Sequence, residues 1–147
     1  MMWHIGELLI QKKLISWDQL SDALEEQQQT REVIGEILVR KGAVGRLLLF
    51  QNLAGQHHLR FVALHRTKIN PKAVRLVPKS IAEKFRIMPF EILDKTLIVA
   101  IGHPGLRWPE EEIRMLANVE RIQTVLSFPE EIPKAIEEFY APAPARA

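Results

Sequence analysis

The sequence predicts an α+β protein, in which a four-helix layer is followed by a small α/β subdomain with a mixed sheet. The first observation is a tandem repeat: residues 4–27 and 33–56 align without a gap at an offset of 29 residues. Repetition on this scale is typical of one supersecondary unit used twice, with each copy helping to bury the other. The second observation is a change of pattern after Gln56, where β-forming segments replace helical spacing.

These patterns divide the chain into three parts. We expect a tandem-repeat helical subdomain over residues 1–58 and a small α/β subdomain over residues 59–140. The last residues, 141–147, read APAPARA and are expected to be a disordered tail, because they offer little to bury.

We expect each repeat to form a short helix, a turn and a longer helix. In the first copy the short helix should end near Lys12, and Ser16 should begin the next helix with Gln19 completing a capping box. In the second copy Gly42 is placed as a C-terminal stop, and Gly45 takes the N-cap position as a weaker cap.

We expect short strands and short helices in the second half of the chain. Residues 60–64 read RFVAL and favour a strand. Asn70 and Pro71 mark the start of a helix that Pro78 should end, and Ser80 should cap the helix after it.

A hairpin is expected next, because two apolar segments flank the turn residues 93–95. The remaining expected elements are a helix over 110–116, a strand over 121–128 and a closing helix over 129–140.

Composition excludes several classes of protein. The chain has 147 residues, a formal net charge of +2 and no cysteine, so disulfides and cysteine catalysis are excluded and no strong field for nucleic acid is expected. No apolar run approaches the roughly 20 residues that span a bilayer. The N-terminus is not typical of a signal peptide, because its basic residues follow the apolar run instead of preceding it. We therefore expect a cytoplasmic protein.

Catalytic motifs are absent from the sequence. It contains no G-x-x-x-x-G-K-[ST] phosphate loop, and its five histidines show no metal-binding spacing. The lysine- and arginine-containing stretch LHRTKINPKAVR lacks stacking aromatics, which favours a solvated surface over a nucleic-acid site. A non-enzymatic, protein-docking role is the better hypothesis, with Trp3, Trp17 and Trp108 as candidate contacts. The alternative is that these tryptophans complete small local cores.

The repeat resembles the tandem motif of the MshEN domain, which stands at the N-terminus of type II secretion and type IV pilus assembly ATPases of the GspE/PilB group. That pattern reads approximately R-L-G-x-x-L-L-x-x-G-x-I-x-x-x-x-L-x-x-x-L-x-x-Q, written twice with a five-residue spacer. Both copies here share its length, glycine, leucine frame and closing glutamine. The resemblance implies a regulatory or docking domain whose partners are platform or ATPase proteins of the secretion or pilus machinery. Through such a partner the domain could be peripheral to the inner membrane.

The resemblance also implies an alternative function, the binding of cyclic di-GMP, with no other cofactor required. Motif arginines and closing glutamines would make the polar contacts, and apolar positions would form a bed for the guanines. The corresponding residues here are His4, Ile5, Gly6, Leu9, Gln27, Val33, Ile34, Gly35, Leu38 and Gln56.

The chain departs from the family motif where charge matters most. His4 and Val33 stand where the family has arginine, and Lys13 replaces the first mid-motif glycine. Arginine can stack on a base and pair with two acceptors, which valine cannot do. We therefore expect weakened ligand binding with the helical frame retained. Core packing accounts for the apolar positions, but we expect it not to account for the two motif glycines or the two closing glutamines.

Overall fold

The computed structural model describes residues 4–140 of the chain. The chain divides into two compact units, one ending at His58 and the other beginning at Leu59. Each unit has its own cluster of buried apolar side chains. The tail over residues 141–147, expected to be disordered, lies outside the described residues.

The first unit is a layer of four helices. They are α1 (Ile5–Gln11), α2 (Trp17–Thr30), α3 (Ile34–Arg40) and α4 (Arg46–Gln56). The short helix α1 packs against α4, and α2 packs against the short helix α3. Each short helix therefore lies against the long helix of the other repeat, so the two copies build one core together.

Helix ends in this unit follow the local signals in the sequence. Gln19 N donates to Ser16 Oγ at 3.1 Å and Ser16 N donates to Gln19 Oε1 at 2.8 Å, which confirms the capping box. Gly42 follows α3 with a φ of 78°, the left-handed conformation that glycine adopts without strain. Gly45 is the N-cap of α4 and offers no side-chain bond, as expected.

The second unit is a four-stranded sheet with helices packed on it. Its elements are β1 (Arg60–Phe61), a 3-10 turn (Leu64–Arg66), α5 (Pro71–Arg75), α6 (Lys79–Phe85), β2 (Ile87–Leu93), β3 (Thr96–Ile101), α7 (Glu110–Ala117), β4 (Arg121–Leu126) and α8 (Glu131–Phe139). The strand order is β1-β4-β3-β2. Strand β4 pairs in parallel with β1 and β3, whereas β2 and β3 are antiparallel. The α+β class and the mixed sheet are thus confirmed.

Two local predictions in this unit are also confirmed. Asn70 caps α5 by accepting a hydrogen bond from Lys72 N at 3.0 Å, with Pro71 as the first helical residue. The β2–β3 hairpin turns at Asp94 and Lys95, whose φ values of 50° and 65° are both positive. Two consecutive residues with positive φ give a two-residue turn whose twist matches that of the two strands it joins.

The strand predicted over residues 60–64 is wrong in length, because β1 contains only two residues. The carboxylate of Glu131 accepts hydrogen bonds from Leu64 N at 3.1 Å and His65 N at 3.3 Å. This contact with the first turn of α8 holds the backbone in a 3-10 turn. The strand predicted over residues 121–128 is also too long, because β4 ends at Leu126. The buried Ser127 hydroxyl that follows donates to Val62 O at 2.5 Å.

The prediction that Ser80 caps α6 is also wrong. The N-cap is Pro78, whose carbonyl accepts from Ile81 N and Ala82 N, both at 3.1 Å. Proline fits this position because its fixed φ already suits the extended entry into the helix. Ser80 lies inside the first turn with an exposed side chain.

Candidate functional site

The two positions where the family motif carries arginine lie at equivalent helix starts. His4 is the N-cap of α1 and Val33 is the N-cap of α3, and neither makes a side-chain capping bond. Both residues are exposed, Val33 at 64% of its full surface. Because α1 and α3 are in contact, these two starts belong to the same helical layer. A side chain at either position reaches solvent, but valine brings no charge there.

The four apolar motif positions differ sharply in accessibility. Ile5 and Ile34 are half-buried and pack against the core while keeping some open surface. Leu9 and Leu38 have no exposed surface at all. A molecule bound to this unit can therefore touch Ile5 and Ile34, whereas Leu9 and Leu38 support the layer from inside.

Packing does explain the motif glycines, so the expectation that it would not is wrong. A Cβ added to Gly6 would lie 2.7 Å from Leu20 Cδ1, and one added to Gly35 would lie 3.0 Å from Leu49 Cδ2. Both glycines let a short helix approach a leucine of the long helix in the same repeat. The sequence held this signal, because the spacing from glycine to leucine is the same in both copies.

The closing glutamines are not equivalent in their contacts. Gln27 Nε2 donates to Glu32 O at 3.0 Å and so ties the end of α2 to the link that leads into α3. Gln56 is also half-buried, but its amide makes no hydrogen bond to another described residue. Gln56 is therefore the closing glutamine with an uncommitted polar group.

A lysine at equivalent positions of the two repeats reaches the long helix of the other repeat. Lys12 Nζ donates to Asn52 Oδ1 at 2.6 Å, and Lys41 Nζ lies 3.4 Å from Glu26 Oε1. Asn52, only 7% exposed, also donates to Leu48 O at 2.8 Å, which satisfies a buried amide. Sequence reasoning missed Asn52, because its partner is 40 positions away.

The charged side chains at the α2–α3 contact mostly pair with one another. Arg40 pairs with Glu26 and, at 2.9 Å, with Glu32. The hydrogen bond from Arg40 is the main reason that the pKa of Glu26 is lowered, and the same bond raises the pKa of Arg40. Two other cations, Lys13 and Arg31, are exposed and form no ion pair with another described residue. These two could face an anion.

The tryptophans divide into different environments. Trp17, at the start of α2, is 69% exposed and borders a shallow open groove that includes Ile10, Lys13 and Leu14. Trp17 therefore does not complete a local core. Trp108 is half-buried against the core of the second unit, which is the local-core interpretation. Trp3 lies outside the described residues.

Within residues 4–140, no group of three or more His, Asp or Glu side chains is placed to hold a metal ion. None of the helices in that range is both long and apolar enough to cross a membrane.

The chain is similar to known proteins of one family. The MshEN domain model matches residues 57–146, more than half of the chain. The chain is 35% identical over 141 residues to the type IV pilus assembly ATPase PilB of Myxococcus xanthus, covering 96% of this chain and 25% of that protein. It is 32% identical over 137 residues to PilB of Thermus thermophilus, covering 92% of this chain and 14% of that protein. It thus spans a quarter or less of these relatives.

Two solved structures share the fold. The structure of MshE with cdg superposes with a TM-score of 0.77 at 24% identity, covering 94% of this chain and 99% of the other. The N-terminal domain of XpsE superposes with a TM-score of 0.55 at 17% identity, covering 93% of this chain and 94% of the other.

Proposed function

Because the chain belongs to the MshEN domain family, we propose that it is a non-catalytic docking domain in the cytoplasm. Its role would be to connect a type IV pilus or type II secretion motor to proteins of the membrane platform. The ATPase relatives are four to seven times longer than the matched region, and the sequence here contains no phosphate loop. We therefore expect no ATP hydrolysis by this chain alone. Turnover that a point substitution in this chain abolishes would contradict that expectation.

The exposure of Trp17 is the observation that carries the docking proposal. An aromatic side chain that is 69% exposed beside half-buried Ile10 and Leu14 offers an apolar anchor. Tryptophan is enriched at the energetic centres of protein interfaces, where burying it contributes much of the affinity. Other apolar side chains exposed on the same unit are Leu24, Leu47 and Leu48.

The test is titration of this chain with purified cytoplasmic segments of pilus or secretion platform proteins. We expect Trp17→Ala to weaken binding roughly 30-fold, the effect of losing a hot-spot contact of about 2 kcal/mol. Met115→Ala is the matched control, because Met115 is 67% exposed and lies in the other unit. Equal losses from both substitutions, or no binding to any platform segment, would contradict docking through Trp17.

The second candidate function is binding of cyclic di-GMP. The observation that favours it is the shared fold with MshE, whose structure was solved with that ligand. Against tight binding stand the missing arginines at His4 and Val33 and the commitment of Gln27 to Glu32 O. Losing one bidentate contact costs about 1–3 kcal/mol by analogy with base readout, so two losses take a micromolar binder toward the millimolar range.

Calorimetry with cyclic di-GMP distinguishes the two functions. We expect weak or undetectable binding by the unmodified chain and stronger binding after the double change His4→Arg with Val33→Arg. A second expectation is that any residual affinity depends on Gln56, whose amide is uncommitted. A sub-micromolar dissociation constant that Gln27→Ala abolishes would instead favour the ligand sensor.

A further inference from the structure

The second unit has a strongly asymmetric charge distribution along its sequence. From residue 60 to residue 86 there are eight lysines and arginines and one acid, Glu83. From residue 87 to residue 140 there are five lysines and arginines and ten acids. We call residues 60–86 the basic segment. Its basic side chains are Arg60, Arg66, Lys68, Lys72, Arg75, Lys79, Lys84 and Arg86, and all eight are exposed.

These cations are not neutralised by the protein. None of the eight forms a direct ion pair with a carboxylate among residues 4–140, and only Lys68 acts on one at longer range, helping to lower the pKa of Glu91. Among residues 4–140, the lysines and arginines that do form ion pairs include Arg40, Lys95 and Arg114, and within the basic segment itself His65 faces the carboxylate of Glu131. A cationic surface without internal partners attracts an anionic one.

Five of the eight cations of the basic segment lie on α5, on α6 or directly after α6, whereas Arg60 lies on β1 at the other edge of the sheet. Both α5 and α6 pack on β2, an edge strand, whereas the glutamate-rich helix α7 packs on β4. Helix α8 also packs on α6 and β2, and its Glu137 lines the same groove as Lys79 and Arg86. Lys72 and Arg75 are three residues apart on α5 and so project from the same side of that helix. Several cations can therefore meet the same surface at once.

The partner of this segment must be held by charge alone. No large apolar side chain between residues 60 and 86 is exposed, and Phe61 and Phe85 are half-buried. A specific protein interface normally has an apolar centre, and single-stranded nucleic acid requires faces on which bases stack. Duplex DNA is usually read by a helix or ribbon inserted in a groove, but α5 and α6 have only five and seven residues and are packed on the sheet.

We propose that the basic segment attaches the α/β unit directly to the surface of an anionic lipid bilayer. The attachment is electrostatic, without insertion, and does not depend on docking through Trp17. Each lysine or arginine near such a surface contributes a similar increment of affinity, and the attraction fades within a Debye length.

The test is co-sedimentation of the full chain with vesicles. One set is pure phosphatidylcholine, and the other contains roughly one-third phosphatidylglycerol as the anionic lipid. We expect binding to the anionic vesicles only, with loss of binding between about 0.05 M and about 0.5 M salt. The double change Lys72→Gln with Arg75→Gln should lower the partition coefficient about 25-fold, since each cation contributes about fivefold.

The matched control removes the same charge from outside the basic segment. Arg107→Gln with Arg121→Gln changes two other exposed arginines of the unit, and we expect less than about a threefold effect. Circular dichroism should show that both double variants remain folded. Equal losses in the two variants, equal binding to neutral vesicles, or binding to a short DNA duplex but not to anionic vesicles would each overturn the proposal.

Discussion

Leu20 and Leu49 set how closely each short helix approaches the long helix of its own repeat. The methyl groups of these leucines occupy the space that a Cβ at Gly6 or Gly35 would need. The fit is tighter at Gly6, at 2.7 Å, than at Gly35, at 3.0 Å. Both leucines are buried, so they cannot simply rotate into solvent when crowded.

We predict that Gly6→Ala destabilises the first unit by about 1–3 kcal/mol, the usual cost of overpacking. Gly35→Ala should cost less, because its contact is longer. Gly55→Ala is the control, since the added Cβ would meet no described atom within 4 Å beyond its chain neighbours and the backbone of its own helix. That change should be neutral or stabilise by up to about 1 kcal/mol through helix propensity. Urea denaturation followed by circular dichroism measures all three, and equal effects at positions 6 and 55 would contradict the packing argument.

Glu91 connects stability to pH in the second unit. Its Oε1 accepts hydrogen bonds from Asn70 Nδ2 at 2.8 Å and from Ile92 N at 2.9 Å. The bond from Asn70 is the main reason that the pKa of Glu91 lies below the usual range of a glutamate. Because the folded pKa is below the unfolded one, this contribution is present above the unfolded pKa and is lost as pH falls through the folded pKa.

We predict that Glu91→Gln reduces the loss of stability of the second unit between about pH 5 and about pH 3. Glu137→Gln serves as the control, because Glu137 is exposed and makes no hydrogen bond to another described residue. Denaturation midpoints measured at several pH values give the slopes. If the change of midpoint with pH below about pH 5 were the same in Glu91→Gln as in the unmodified chain but smaller in Glu137→Gln, Glu91 would not be the group that links stability to pH.

Residue-level contacts divide into those the sequence predicts and those it does not. Ser16 with Gln19 was predictable, because the partners are three positions apart and the geometry of a helix start brings them together. Asn52 with Lys12 was not, because the contact exists only once α1 lies on α4. The candidate ligand positions could be named from the motif, but their burial depends on packing and could not.

At the scale of elements, the two long helices begin with caps of unequal strength. Helix α2 has a reciprocal capping box, whereas Gly45 at the start of α4 provides no side-chain bond. Gly45 already has the extended conformation of an N-cap, with a φ of −72° and a ψ of 148°. A Cβ there would meet nothing within 4 Å, so the position can accept a capping side chain.

We predict that Ser16→Ala costs about 1 kcal/mol, because it leaves a backbone N–H at the start of α2 without its acceptor. Gly45→Ser should stabilise by a few tenths of a kcal/mol, since the new hydroxyl can accept from α4. Thermal unfolding of both variants beside the unmodified chain checks the opposite signs. If Gly45→Ser lowered stability, α4 would not be limited by its cap.

Elements were predictable where local chemistry determines them. The hairpin at Asp94 and Lys95 and the start of α5 at Pro71 follow from residues close together in sequence. Strand β1 was predicted too long because Glu131, 67 positions from Leu64, captures the backbone that the pattern assigned to a strand. Contacts of this range carry no local pattern that a reader of sequence could recognise.

At the scale of the whole molecule, the chain builds two separate cores. The first includes Leu9 and Leu38 from both short helices, and the second includes Leu97 and Val99 from the central strands. Among residues 4–140, none belongs to both clusters. The repeat and the change of hydrophobic period at residue 57 were visible in the sequence, which is why the α+β architecture could be predicted without any long-range contact.

Separate cores imply that the two units lose structure independently. Leu38 and Leu97 form a matched pair, because both are leucines with no exposed surface and each lies in a different core. We predict that Leu38→Ala costs about 2–5 kcal/mol in the first unit only and that Leu97→Ala costs a similar amount in the second unit only. Hydrogen exchange followed by mass spectrometry resolves the protection of residues 4–58 and 59–140 separately. Each substitution should lower protection in its own range and leave the other unchanged, since each leucine belongs to the core of one unit. If either change lowered protection equally in both ranges, the units would unfold as one cooperative body.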